Sequence, residues 1–174
     1  MRFTILTIAS RPHFLPSVGR SIATAIKPAD VDVRWLVKFN PEHKLEWSEH
    51  IAIWNKTLRE LTGTWVILLS DDNLLHPSVI QRWREIIEHS PAKMLHFRQQ
   101  FGPCNFRPAG LDHLDGGYCD GGQIVFDADY YNSFGWSYDE FGFEGFLFRR
   151  MYESNPAAFY FHDELLTYHD RLLW

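Results

Sequence analysis

The run Thr64-Trp65-Val66-Ile67-Leu68-Leu69 carries no charged residue. A strand with one solvated face alternates apolar and polar residues, whereas a strand this uniformly apolar is covered on both faces. Phe3 to Ala9 is apolar and β-branched in the same manner, and Val33 to Phe39 and Met94 to Phe97 read as two further strands. Between them lie segments of helical period. Leu15, Val18, Ile22, Ala25 and Ile26 recur at helical spacing, and Pro28 ends that segment. Trp47, Ile51, Trp54, Leu58 and Leu61 step by four, three, four and three, one face of a helix of about four turns. Gly63 is expected just past its end, as a C′ glycine. Pro77 opens a third helix with Val79, Ile80, Trp83, Ile86 and Ile87 on one face. Strands and helices alternating at this rhythm predict an α/β fold, a mostly parallel sheet with helices on both faces.

The second half is less regular. Phe101 to Asp120 carries Gly, Pro and Asn and reads as a long loop, and Gln123 to Phe126 as a short strand. Glu144 to Glu153 is expected to be a helix stopped by Ser154-Asn155-Pro156, with Phe159 to Phe161 and Leu165 to Tyr168 as final strands. A length of 174 residues suits one domain. We read 1–98 as its ligand-binding half and 99–174 as the half that completes the site.

Composition narrows the function classes. The net charge is −5, and no Lys/Arg block interrupts the chain, which argues against a surface that tracks nucleic-acid phosphates. An acidic chain can still bind an anionic ligand when a cation sits between them. No stretch approaches the ~18 to 20 apolar residues of a membrane span. The start reads as a strand rather than a signal peptide. The two cysteines, Cys104 and Cys119, make no metal-binding spacing. A cytoplasmic protein with free thiols is the expectation, with one disulfide as the alternative.

Ser70-Asp71-Asp72-Asn73 follows the most apolar strand and precedes a proline-started helix. In open α/β sheets ligands bind outside the carboxyl ends of the strands. Two adjacent carboxylates repel each other, so a divalent cation is a natural occupant there. Oxygen ligands on a turn suit Mg²⁺ or Mn²⁺, which also hold phosphates. Asp and Asn that merely form a turn and cap a helix are the structural alternative. By the same strand-end rule, the loop from Thr7 through Ala9 and Ser10 to Arg11, and the strand end near Asn40, are expected to flank a bound ligand. Asn55, on the next helix, is expected to orient that loop or to reach the ligand.

The stretch from Asn55 through Gly63, the apolar strand and Ser70-Asp71-Asp72 to His76-Pro77 resembles the core of family-2-type glycosyltransferases with the GT-A fold. That family has an Asn, a helix ending in Gly, an apolar strand, an Asp-X-Asp motif and a His-Pro-like helix start. Ile8-Ala9-Ser10-Arg11-Pro12-His13-Phe14-Leu15 is similar to its first strand and nucleotide-facing loop. Phe134-Gly135-Trp136-Ser137-Tyr138-Asp139-Glu140, then Phe143-Glu144 and Leu147-Phe148-Arg149-Arg150, look like its acceptor-side acidic motif. Tyr168-His169-Asp170-Arg171 resembles the Tyr-Arg-His-type segment that closes many such sites.

The resemblance implies transfer of a sugar from a nucleotide-diphosphate donor, a UDP-sugar by preference, to a hydroxyl acceptor with inversion. It implies Asp72 as metal ligand, with Asp71 compensating for Ser70, which stands where the family has its first Asp. His169 is the further metal ligand or phosphate contact, and His162 its rival. Phe143-Glu144 replaces the family's Glu-Asp pair, which makes Glu144 the general base and Asp139 and Glu140 rival bases. Lys38, Phe39 and Asn40 stand where an acid often reads uracil. Trp136 and Tyr138 are placed to stack on a sugar ring, or belong to the core. Asp120-Gly121-Gly122-Gln123 enters a strand as a tight turn, or as a close backbone approach to a ligand. Two other classes fit parts of the pattern. One is a nucleotidyltransferase-like enzyme, although the Gly-rich basic signature is missing after the first strand. The other is a non-catalytic module that binds nucleotide-sugars or glycans.

Overall fold

A computed structural model describes residues 1–26, 31–39, 47–114, 119–135 and 144–169. The elements run β1 (Arg2–Ala9), a 3₁₀ turn at Pro12–Phe14, α1 (Leu15–Ile26), β2 (Asp32–Phe39), α2 (Trp47–Glu60), β3 (Trp65–Leu68), a two-residue β4 (Leu74–Leu75) and α3 (Val79–His89). They continue with β5 (Met94–Phe101), β6 (Asn105–Arg107), β7 (Ile124–Asp127), α4 (Ala128–Ser133), α5 (Glu144–Ser154) and β8 (Phe159–His169). The strand order is β2-β1-β3-β7-β5-β8-β4, with β6 paired to β5. β1 is parallel to β2 and β3, and β5 to β8. β7 lies antiparallel between β3 and β5, and β4 antiparallel to β8. Hence β1, β2, β3, β5 and β8 all point one way, and their carboxyl ends share one edge of a mostly parallel sheet.

Side-chain alternation explains the layers. Along β3, Val66 and Leu68 join one core with Leu58 of α2 and Leu147, Phe148 and Met151 of α5. Trp65 and Ile67 join the opposite core with Val18 and Ile22 of α1 and Val79, Ile80 and Trp83 of α3. Successive residues of a strand face opposite ways, so a strand buried at every position divides the protein into two cores. That is the physical content of its unbroken apolar run.

The structure adjusts three boundaries. Helix α2 stops at Glu60, and Gly63 lies further along with φ of 60°. Asn132 closes this end of the helix: its amide donates to Leu58 O, in the last turn of α2, and to Leu61 O just beyond it, at 3.0 and 3.1 Å. The two expected final strands are one strand, β8, whose register against β5 slips between Phe97 and Gln99. The loop read over 101–120 contains β6, which folds back so that Arg107 stands opposite Gln99. Helix α4 and strand β4 are further elements that periodicity alone does not mark. Both cysteines are free thiols. Among the described residues no helix is long and apolar enough to cross a membrane.

β5 also carries a fully buried histidine. Burial, with the charge of His113, pushes the pKa of His96 down to about 3. The folded chain therefore keeps His96 neutral in a range where the unfolded chain, at the ordinary value of 6.5, binds a proton. A depressed folded pKa contributes stability that is complete above the unfolded value and is lost as pH falls toward the folded one. We expect unfolding free energy from urea titrations to fall between pH 6.5 and 4.5, by up to roughly 1.4 kcal/mol per pH unit from this group. His96→Gln, which does not titrate, should flatten that slope; an unchanged slope would assign the acid limb to other groups.

Candidate functional site

The turn after β3 and the loop after β1 meet because their strands are neighbours in register, Phe3 opposite Trp65 through Leu6 opposite Leu68. Leu69 N–H extends that ladder by donating to Leu6 O at 2.9 Å. The chain then turns, with Asn73 N–H donating to Ser70 O at 3.1 Å. Asp71 and Asp72 are each 1% exposed there.

Asp71 is held from several directions. Its Oδ2 accepts the backbone N–H of Ser10 at 2.7 Å, that of Arg11, and the Ser10 hydroxyl at 3.3 Å. Its Oδ1 accepts from Arg11 Nε at 3.0 Å and Nη2 at 2.7 Å. The same Nη2 lies 2.6 Å from Asp72 Oδ2. The repulsion expected between adjacent carboxylates is therefore answered by Arg11, and a cation is not needed to hold the turn together. Asp71 acts here as the lock between two loops.

The other sequence-predicted residues fall at several places. Thr7 faces the core: it is fully buried and its hydroxyl accepts the Trp35 indole N–H at 3.0 Å. Ala9 is buried as well, so the exposed part of the loop starts at Ser10. Asn55 is buried on α2 beside a groove lined by Ala52, Lys56, Arg59 and Glu60. Glu144 is the first residue of α5; its side chain, and Asn40, Trp136, Asp139 and Glu140, lie outside the described residues. His162 turns to Glu164, 2.8 Å away, which also pairs with Arg82 of α3.

His169 is brought to the acidic turn by strand pairing. Leu74 stands opposite Tyr168, which sets His169 across from Asn73. Its Nδ1 lies 3.3 Å from Asp120 Oδ2. Asp120 caps the turn Gly121–Gln123: its Oδ1 accepts Gly122 N–H at 2.7 Å and Gln99 Nε2 at 3.1 Å. Arg107 Nη1 donates to Gln99 Oε1 at 3.0 Å and lies 3.9 Å from Asp120 Oδ2. Burial works against the Asp120 charge. The His169 contact and then Gln99 and Arg107 outweigh it and hold this carboxyl below its ordinary value. In the sequence the Asp120 turn stands out only for its glycines. Gln99 and Arg107 carry no sequence signal, because they meet only through the β5–β6 hairpin.

Among the described residues no three His, Cys, Asp or Glu side chains converge on one point as a metal cage. His169 is turned to Asp120 through Nδ1, and Asp72 meets Arg11 through Oδ2. A cavity of about 540 Å³, lined by Arg2, Thr4, Asp32, Arg34 and Thr64 among others, opens at the opposite, amino ends of the strands.

No protein-family model matches the chain, and no curated protein matches it in sequence. Solved structures do match it in fold. TarS 1–349 from S. aureus superposes with a TM-score of 0.65 at 10% identity, over 97% of this chain and 60% of that one. Its complex with UDP-GlcNAc gives 0.66 at 8% identity, over 97% and 58%. A glycosyltransferase involved in glycosylation of the PBCV-1 major capsid gives 0.57 at 12% identity, over 97% and 92%. The chain thus shares the fold of these proteins, and it spans about three fifths of the TarS 1–349 structure.

The lock predicts its own energetics. Arg11→Met leaves two buried carboxylates without their guanidinium and should destabilise the fold by about 3 kcal/mol in denaturant titrations. Adding Asp72→Asn to that variant should recover part of the loss. If Arg11→Met costs well under 1 kcal/mol, the carboxylates are compensated from elsewhere.

Proposed function

We propose that this protein is a glycosyltransferase that takes its sugar from a nucleotide diphosphate, by preference a UDP-sugar, and passes it to a hydroxyl acceptor. One observation carries the reading: a buried acidic turn at the carboxyl end of β3, locked onto the loop after β1, in a fold that the chain shares with a glycosyltransferase. That edge of an α/β sheet is where nucleotides bind. UDP-GlcNAc in the TarS complex makes the uridine diphosphate donor the first to test.

In this reading the backbone from Ala9 to Arg11 borders the nucleotide, with Asn40 near the base and Asn55 supporting the loop. Asp72 would hold Mn²⁺ or Mg²⁺ together with the donor phosphates. Bound there, the cation would neutralise charge growing on the departing diphosphate. Asp71 keeps the loop in place by its bonds to Ser10 and Arg11. Glu144 opens α5, and as general base it would accept the acceptor hydroxyl's proton while that oxygen attacks the anomeric carbon. The oxygen approaches from the face opposite the diphosphate, which gives inversion.

Two measurements test this. Calorimetry with UDP and Mn²⁺ should show binding by the parent protein, loss of the Mn²⁺-dependent part in Asp72→Ala, and a milder loss in Asp71→Ala. Equal affinity in Asp72→Ala removes the metal assignment. With an acceptor found by screening simple glycosides, Glu144→Gln should bind UDP-sugar normally and transfer roughly 10²-fold more slowly or worse. Asp139→Asn or Glu140→Gln as the slower variant would move the base. UDP binding with neither donor hydrolysis nor transfer would make the protein a nucleotide-sugar-binding module instead.

A further inference from the structure

We propose that Arg11 closes the acidic turn to a divalent cation until a nucleotide diphosphate draws its guanidinium away, so that cation and nucleotide enter together. The second half rests on the donor reading above. The first half, exclusion of a cation, rests on Arg11 and the two carboxylates alone.

One nitrogen marks where this turn demands positive charge. Arg11 Nη2 lies 2.7 Å from Asp71 Oδ1 and 2.6 Å from Asp72 Oδ2, and each carboxylate side chain is 2% exposed. A cation that takes Asp72 Oδ2 therefore meets an oxygen already paired with a guanidinium. It also meets that guanidinium's charge at close range, with little water between them, where like charges repel more strongly than in solvent. Two carboxylates and one guanidinium leave the turn with one net negative charge, less than a divalent cation matches. Guanidinium and cation are thus alternatives at Oδ2.

The guanidinium is also the removable part of the lock. Asp71 Oδ2 is held by the backbone N–H groups of Ser10 and Arg11 and by the Ser10 hydroxyl. Those bonds do not use the Arg11 side chain, so the loop after β1 keeps its path whichever way the guanidinium turns. The Arg11 side chain is 28% exposed against 2% for its partners. It borders solvent and can swing outward about its own torsions without moving buried backbone. Its guanidinium carbon lies 5.7 Å from the centre of the Phe14 ring, a face that attracts a cation.

A diphosphate is the ligand chemistry that draws it outward. The fork of N–H groups on an arginine matches phosphate oxygens as well as carboxylate oxygens. In the donor reading the Ala9–Arg11 backbone borders the nucleotide, which sets the phosphates within the swing of this side chain. Arg11 then exchanges Asp72 for a phosphate, and Oδ2 is released to the cation that accompanies those phosphates. A pair serving only the loop needs no more than Asp71, whose Oδ1 takes both Nε at 3.0 Å and Nη2 at 2.7 Å. The further contact to Asp72 couples the loop to the carboxylate assigned to the cation.

The experiment is Mn²⁺ titration, read by loss of the free-ion electron paramagnetic resonance signal, with and without UDP. It compares the parent protein, Arg11→Gln and the double variant Arg11→Gln/Asp72→Asn. Without UDP, Arg11→Gln should bind Mn²⁺ about tenfold more tightly than the parent or better, the scale of one hydrogen bond to a charged group. The double variant should lose that gain. UDP should tighten Mn²⁺ binding by a larger factor in the parent than in Arg11→Gln, and by linkage Mn²⁺ should tighten UDP binding by the same factors. The proposal is overturned if Mn²⁺ alone binds Arg11→Gln no more tightly than the parent, if the gain survives loss of Asp72, or if UDP tightens Mn²⁺ equally in both. Should Arg11→Gln fail to fold, crystals of the parent soaked in Mn²⁺ alone and in Mn²⁺ with UDP decide. Nη2 on Asp72 in the first and off it in the second supports the exchange; Mn²⁺ on Asp72 in the first, or Nη2 still there in the second, overturns it. Absence of UDP binding in every protein sinks the donor reading and the nucleotide half of this proposal, while the titrations without UDP still decide whether Arg11 excludes the cation.

Discussion

Two carboxylates side by side, both withdrawn from water, are tolerated at the end of β3 because one guanidinium meets both. Burying a carboxylate costs several kcal/mol unless a partner and hydrogen bonds compensate it. Arg11 gives two bonds to Asp71 and a third contact to Asp72, while Ser10 and Arg11 add backbone N–H groups. The consequence is positional. The loop after β1 can take only the path that brings those donors onto Asp71, so the carboxyl ends of the two strands become one rigid corner. The reading of the edge as a nucleotide site depends on that corner.

The other wall of the corner comes from the second half of the chain by a different route. β7 enters the sheet reversed, between β3 and β5, so the turn that precedes it lies at the same edge as the acidic turn. β6 folds back on β5 and carries Arg107 to Gln99. The long strand β8 slips register near its middle and delivers His169 to Asp120. Asp120 is thereby surrounded by β5, β6 and β8, and Gly122 has room for no side chain between it and Asn73.

Much of the first half is legible in its residues alone. Its strands and helices α1, α2 and α3 fall where apolar runs and helical spacing put them, since burial on two faces and on one face leave different periods. Asp71 and Asp72 stand out for the same reason, as charges abutting an apolar strand. What the residues do not convey is that Arg11, 60 positions away from Asp71, neutralises the pair. Adjacent carboxylates suggest a cation, and only the fold shows that a side chain already supplies one. Thr7 misleads in the opposite sense: it sits in the loop segment by sequence, yet its hydroxyl is spent on Trp35.

The sequence by itself determined the class of fold, the two-sided burial of its central strands, and the location of an acidic turn at the strand ends. Those properties follow from local chemistry, because the period of apolar side chains and the punctuation by Pro and Gly act over a few residues. Tertiary structure alone decided the antiparallel insertion of β7, the joining of two expected strands into β8, and the gathering of Asp120, Gln99, Arg107 and His169 beside Asn73. Those outcomes depend on strand order and register, which bring together residues separated by tens of positions. No pattern in a single sequence encodes which strand edge pairs with which. Hydrogen bonding and side-chain burial across the whole sheet settle that choice together.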